Sequence, residues 1–244
     1  DKNIKKIKRK IKTKNILTYG FSSLSDYQII KPKYNINNCK FDLVVKNFLG
    51  KRKNIKNIVL NLIGKHNILN SVAAISVCLN LGIKIKIIKR ALLKFTGVQR
   101  RMTKIFEKNN NEFYDDYAHH PTEIYSVLES IKNVANKKKI TSVFQPHRYS
   151  RVNFLKKEFS KSFKFSDRVV LCPIYAAGEK IDKKFNLLKF GKMIALNSNV
   201  DVIVIKNEKN FQNFVKKNLI KNEIIIGMGA GTISNWIRNL KQIL

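Results

Sequence analysis

A chain of 244 residues with 44% hydrophobic and 10% aromatic residues is long and apolar enough to bury a core, which excludes disorder as a full description along with collagen-like and low-complexity classes. Its formal net charge of +33, from 49 Lys+Arg against 16 Asp+Glu, points first to nucleic acid or a membrane surface. Lys, however, is spread from Lys2 to Lys241 and comes with heavy Asn and Ile use, as AT-rich coding would produce, whereas a DNA reader calls for Arg forks in a focused patch.

Charge alone therefore supports a basic nucleic-acid-binding protein as the competing reading, and no specific nucleic-acid partner is expected. The longest nearly apolar stretch, 71–83, falls short of the roughly 20 residues that span a bilayer, so no membrane insertion is expected. Cys39, Cys78 and Cys172 are far apart and form no CxxC pair, which argues against a disulfide framework or zinc site and for a reducing, cytoplasmic location.

In chain order, Ile4, Ile7 and Ile11 recur at helical spacing among Lys and Arg, with Asp1 placed as an N-cap. This basic segment reads as a surface helix of a domain that begins upstream. Strands are predicted over "NILTYGF" (15–21), "CKFDLVVKNF" (39–48) and "NIKNIVLNLI" (54–63), the last two joined through a turn at 50–54. A helix apolar on most faces follows over 66–81, and a second over 84–95. From there strands alternate with helices: "MTKIFE", "EFYDD", a helix over 121–134, "ITSVF", a helix over 153–165 and "RVVLCPI". A helix over 185–196, "DVIVI", a helix over 210–219, "EIIIGMG" and a last helix to Leu244 complete the pattern. Such alternation predicts an α/β domain with a mostly parallel, Rossmann-like sheet covered on both faces, and the domain boundary is placed at 97/98.

The glycines of "GMGAG" (227–231) follow a strand and open a helix, but Thr232 spoils GxGxxG and no acidic residue can follow at the required distance, so a nicotinamide enzyme is disfavoured. No Walker A loop occurs, since Gly50-Lys51, Gly64-Lys65 and Gly191-Lys192 precede Arg52, His66 and Met193.

The four histidines are more informative. His66 opens a helix, His119 and His120 follow the paired Asp115 and Asp116, and His147 follows another strand. In open parallel sheets ligands bind at the carboxyl ends of strands, so "DDYAHHPTE" and "FQPHRYSR" are expected to face one crevice. Pro121, Thr122 and Glu123 are accounted for by helix initiation; the carboxylates and imidazoles are not. Adjacent His119 and His120 splay apart, which disfavours zinc. In a chain that uses Lys almost everywhere, Arg148 and Arg151, like Arg100 and Arg101, suggest a fork geometry for carboxylate or phosphate that Lys lacks.

Taken in order, "GKHNILNSVAA", "GVQRR", "DDYAHHPTEI", "VFQPHRYSR" and "YAAGE" resemble the Mur ligases of peptidoglycan synthesis. The resemblance implies the end of a central P-loop-type ATPase domain over 1–97 and a complete C-terminal Rossmann-like domain over 98–244. It implies ATP-dependent joining of L-alanine to UDP-N-acetylmuramate through an acyl phosphate, with the P-loop, the Mg ligands and the uridine site in an N-terminal region upstream of Asp1. Carried onto matching positions, His66, Asn67 and Asn70 would lie against adenine, Asp116 would hold the ribose, and Arg101 would reach the phosphates. Tyr117, His119, Arg148 and Arg151 would surround the alanine. Arg101 and His119 are the implied catalytic groups.

Overall fold

The computed structural model describes residues 7, 10–12, 16–35, 38–48 and 50–244. The expected N-terminal helix capped by Asp1 lies mostly outside the described residues. By contacts the chain divides into two compact units, Asp1–Lys33, Cys39–Leu60 and Asn67–Phe95 forming one, and Tyr34–Asn38, Asn61–His66 and Thr96–Leu244 the other.

Among its described residues the first unit carries a four-stranded sheet of order β1-β2-β3-β4 and two helices of ten residues or more. Its strands are β1 (Tyr19–Gly20), β2 (Tyr27–Tyr34), β3 (Cys39–Phe48) and β4 (Lys51–Leu60), and its helices α1 (Lys65–Asn80) and α2 (Ile85–Lys94). Of the strand expected over 15–21, position 15 lies outside the described residues and the rest holds only two strand residues, because Asp26 draws the chain into a turn: its Oδ2 accepts from Thr18 N at 2.7 Å and Thr18 Oγ1 at 2.5 Å. β4 starts at Lys51, earlier than its apolar run suggests, since Lys53 is paired with Val45 and Lys51 with Phe48. Phe41, Leu43, Ile58, Ile68, Val72 and Ile75 form this unit's core. Asn80 at the end of α1 ties back by donating to Tyr27 Oη at 2.9 Å.

The second unit is built on a six-stranded sheet of order β5-β6-β10-β7-β8-β9. Its elements are β5 (Thr103–Lys108), β6 (Asn111–Asp116), α3 (Pro121–Lys132), β7 (Lys139–Phe144), α4 (Tyr149–Phe154), α5 (Lys156–Ser160) and β8 (Arg168–Leu171). They continue through α6 (Leu187–Ser198), β9 (Asp201–Val204), α7 (Glu208–Asn218), β10 (Glu223–Met228) and α8 (Ile233–Ile243). Only the β5–β6 pair is antiparallel; β6, β10, β7, β8 and β9 run parallel, as the alternating pattern predicts.

Period-two alternation splits each central strand between two cores. Ile224, Ile226 and Met228 of β10 join Phe144, Phe159, Phe163 and Ile124 on one face. Ile225 joins Phe113, Val143, Val170, Phe211 and Ile237 on the other. The helix expected over 153–165 is instead two short ones broken at Leu155, where φ is −106° and ψ 23°. Among the described residues no helix is long and apolar enough to cross a membrane.

Candidate active site at the strand ends of the second unit

The sheet order puts β10 between β6 and β7, so the carboxyl ends of three parallel strands lie side by side, where loops have room to form a crevice. Their stitching is explicit. Gly229 N donates to Asp116 O at 3.2 Å and Gln145 N to Met228 O at 2.9 Å. Gly229 has φ +150°, and a Cβ there would stand 2.7 Å from Gln145 O; one on Gly231 would meet Gln145 Oε1 at 2.5 Å and Tyr175 Cγ at 2.6 Å. The glycines of "GMGAG" therefore serve close packing of the loop against the β7 end. Gln145 fastens that loop further, its Oε1 accepting from Ile233 N at 3.0 Å and its Nε2 donating to Thr232 Oγ1 at 3.0 Å.

At the end of β6 the two aspartates have different work. Asp115 is fully buried and faces α8: its Oδ2 accepts from Ser234 Oγ at 2.5 Å, with Arg238 Nη2 at 3.5 Å and Arg100 Nε at 3.6 Å. Asp116 is 1% exposed and accepts two backbone N–H groups, Met102 at 2.8 Å on Oδ2 and Ala118 at 2.7 Å on Oδ1. Burial pushes its carboxyl up to about 6 despite those two bonds. Each oxygen still has a second lone pair.

Arg100 donates to Gly229 O at 2.6 Å, and its guanidinium carbon is 4.9 Å from the Tyr117 ring centre, that of Arg101 5.8 Å. Past Tyr117, His119 Nδ1 lies 2.9 Å from Tyr117 O, and Glu123 Oε2 accepts the N–H groups of His119 and His120 at 3.1 and 3.2 Å.

The end of β7 meets the loop after β8 through a bridge between His147 and Tyr175. Their rings stack at 5.5 Å, and His147 lies 5.9 Å from His119, which is 5.1 Å from Tyr117. The two junctions thus meet in a line of four rings. Burial, then the charge of Arg151, then His119 and Arg148 hold the His147 imidazole below its ordinary range, so it is kept neutral. Arg148 adopts φ 69°; its N–H donates to Tyr175 O at 2.9 Å and its Nε is 3.9 Å from Glu179 Oε1. Glu179 also receives Ser150 N at 3.1 Å and Ser150 Oγ at 2.5 Å, and these bonds hold its carboxyl below the usual range. His147 Nδ1 and Arg151 Nη1 are buried without a hydrogen-bond partner.

Of the sequence-predicted residues, the structure brings Arg101, Asp116, Tyr117, His119, Arg148 and Arg151 to these strand ends. His66 belongs to the same unit; burial and then the Arg101 charge lower its imidazole, and its Nδ1 too is buried without a partner. Asn67 and Asn70 belong to the first unit, on α1. Gln145, Tyr175 and Glu179 sit inside motifs quoted for their neighbours, and only the closure of three loops shows their role. A cavity of about 190 Å3 lies away from the junctions, near the start of β6, where Lys138 and Tyr114 bond to Glu112.

The family model for "Mur ligase, glutamate ligase domain" matches residues 100–231, more than half of the chain and both junctions after β6 and β7. The chain belongs to the Mur ligase family. It is similar to the UDP-N-acetylmuramate–L-alanine ligase of Pelagibacter ubique, 45% identical with 100% of this chain and 53% of that one covered. The enzyme of that name from Vesicomyosocius okutanii is 38% identical, with 93% of this chain and 48% of that one covered. A UDP-N-acetylmuramate–alanine ligase structure from Thermotoga maritima shares the fold, with TM-score 0.76 and 24% identity over 93% of this chain and 47% of that one. This Mur ligase chain spans about half the length of the curated relatives it matches.

Proposed function

We propose that the chain is the C-terminal half of a cytoplasmic ligase that joins L-alanine to UDP-N-acetylmuramate at the expense of ATP. One observation carries the reading within this chain: Arg151 and His147 have buried polar atoms with no partner, beside the Arg148 guanidinium at a strand end. Two guanidiniums and a neutral imidazole suit the carboxylate of a small amino acid.

In this reading the muramoyl carboxylate attacks the γ-phosphate and ADP leaves, giving an acyl phosphate that the alanine amine then attacks. Arg148 and Arg151 take the alanine carboxylate, while Tyr117 and His119 line the place of its amine and methyl group. Arg101, exposed and 3.8 Å from Glu123, reaches the phosphates and offsets the charge that builds during transfer. His66, Asn67 and Asn70 are assigned to adenine, the unpartnered Nδ1 of His66 supporting its part. Asp116, through its remaining lone pairs, is assigned to the ribose.

The Mg that the family resemblance implies finds no cluster of three His, Cys, Asp or Glu among the described residues. Its ligands are assigned to the N-terminal half.

The test is to express this sequence with the residues that precede it in its reading frame and supply ATP, UDP-N-acetylmuramate and L-alanine. Phosphate release that needs all three, together with the alanyl product, is expected. Nucleotide turnover without amide product would overturn the assignment.

A further inference from the structure

Glu123 stands at the third position of α3, and a carboxylate there has an ordinary task. Its Oε2 takes the N–H groups of His119 and His120 and closes a capping box. Capping uses one oxygen and leaves the other, and the negative charge, unaccounted for. Oε1 lies 3.8 Å from Arg101 Nη1, and Oε2 lies 3.6 Å from His119 Nδ1. The same carboxylate thus borders a residue assigned to phosphate and a residue assigned to the amino acid.

The histidines beside it are held in opposite tautomers. His119 Nδ1 is 2.9 Å from Tyr117 O. A carbonyl oxygen only accepts, so the neutral His119 ring carries its proton on Nδ1 and has a lone pair on Nε2. His120 Nδ1 accepts from Thr122 N at 3.3 Å, which puts the proton of that ring on Nε2. Only His119 belongs to the line of rings running from Tyr117 to His147 and Tyr175.

We propose that Glu123 is a positioning residue for amide formation, holding His119 as the Nε2 base that takes the proton of the incoming ammonium while steadying Arg101. The proposal rests on the ligase reading. The charged and titratable groups around His119 are Glu123 on α3, Tyr117 and Arg101 on its near side, and His147 with Arg151 and Arg148 from the β7 junction.

The proton count closes. The amino acid enters as an ammonium and gives one proton to His119 Nε2, and the Glu123 carboxylate opposes the imidazolium charge. The freed lone pair forms the C–N bond at the acyl carbon. The C–O bond to phosphate then breaks, and the phosphate carries off the second N–H proton as hydrogen phosphate. His119 returns its own proton to solvent, and nothing is oxidised or reduced.

Two variants separate this role from capping. Glu123→Gln keeps an oxygen for the backbone N–H groups and removes the charge, whereas Glu123→Ala removes both. In the ligase carrying this chain, Glu123→Gln is expected to melt at the native temperature yet lose about 10²-fold in kcat, the scale of one general base, with the alanine KM little changed. Nitrogen-detected NMR of the 244-residue chain should show His119 protonated on Nδ1. A Glu123→Gln enzyme with native kcat, or a loss confined to Glu123→Ala, reduces Glu123 to a cap and overturns the proposal. So does finding His119 protonated on Nε2. An unmutated enzyme that makes no alanyl product would sink the ligase reading itself, a result told apart from these at once.

Discussion

The two junctions that meet at the ring line differ in how their polar atoms are satisfied. After β6, the Asp116 oxygens, His119 Nδ1, His120 Nδ1 and Glu123 all have partners, and the unpaired buried atoms, Asp115 Oδ1 and Arg100 Nε, gather at the Asp115 carboxylate that faces α8. After β7, the polar atoms His147 Nδ1 and Arg151 Nη1 are buried without partners, and Arg148 is held at φ 69°. A buried polar group left unpaired costs about 1–3 kcal/mol. The stretch from Asp116 to Glu123 is thus a finished frame whose unmet atoms lie behind it at Asp115, while the second junction holds its unmet bonding capacity where the alanine carboxylate is assigned. Pre-organisation on one side and receptivity on the other is what a site needs if it must hold a base still and still admit a ligand.

The largest effect is expected where both junctions share a support. Gly229 receives Arg100 on its carbonyl and donates to Asp116 O, and a Cβ on it would press on Gln145 O, a backbone atom that cannot swing aside. Gly229→Ala should destabilise the second unit by about 4 kcal/mol, combining a backbone conformation disfavoured for L residues with overpacking. Denaturant unfolding measures it. A change within experimental scatter would mean that the β10 end does not tie the two junctions together.

The frame can then be probed through pH. Asp116 titrates near 6 in the folded chain against an ordinary 3.8, so between these values the folded state binds more protons than the unfolded one. Its contribution to stability therefore falls as pH rises from about 4 to about 6 and stays low above that. Asp116→Asn removes the titration but leaves one N–H short of an acceptor. From pH 4 to pH 7 the stability difference between the two proteins should swing by about 2.4 kcal/mol in favour of the Asn form. A difference that stays flat with pH would show the carboxylate to be better solvated than its burial indicates.

How much of this was legible in the sequence depends on what each feature rests on. β7 and β10 read correctly because central parallel strands are buried on both faces and appear as mostly apolar runs, whereas β6, with Glu112, Asp115 and Asp116, is legible through Phe113 and Tyr114 and its place in the alternation. β2 carries no strand signal of its own: "YQIIKPKY" has Pro32 between two lysines, and only Tyr27 and Ile29 are buried. α4 starts four residues before the helix that the sequence predicts from 153, because Tyr149, Ser150 and Arg151 carry no apolar period and their helix follows the strained Arg148. His119, Arg148 and Arg151 stood out by type and by place at strand ends. Glu123 reads in the sequence as a helix signal alone. Its second oxygen finds Arg101 only after β5 and β6 have paired, and no local spacing encodes that.

The receptive junction is tested through its ligand. Arg151→Lys keeps the charge and loses the planar fork, so the alanine requirement should rise by about 2 kcal/mol, roughly thirtyfold, the scale of hydrogen bonds to a charged group. The ATP requirement should stay near native, and so should stability, since the removed Nη1 had no partner to lose. If ATP use weakens and alanine use does not, the Arg pair belongs to the phosphates, and the contrast between the junctions has been given the wrong ligand.

The smallest effect is the most discriminating, because it separates strain from binding in one residue. Arg148 sits at φ 69° and ψ 126°, outside the regions an L residue occupies easily. What holds it there is its N–H to Tyr175 O and the Glu179 carboxylate that also caps Ser150. Glycine tolerates such a conformation, so Arg148→Gly should relieve about 1 kcal/mol of backbone strain, offset in part by the greater freedom glycine gives the unfolded chain. The variant should therefore be as stable as the native protein or slightly more so, while its alanine KM rises. Stability and function would then move in opposite directions at one position, as expected where strain serves to aim a side chain at a ligand. Were Arg148→Gly clearly less stable, the exposed guanidinium would be part of the frame, and the β7 junction would be as self-sufficient as its neighbour.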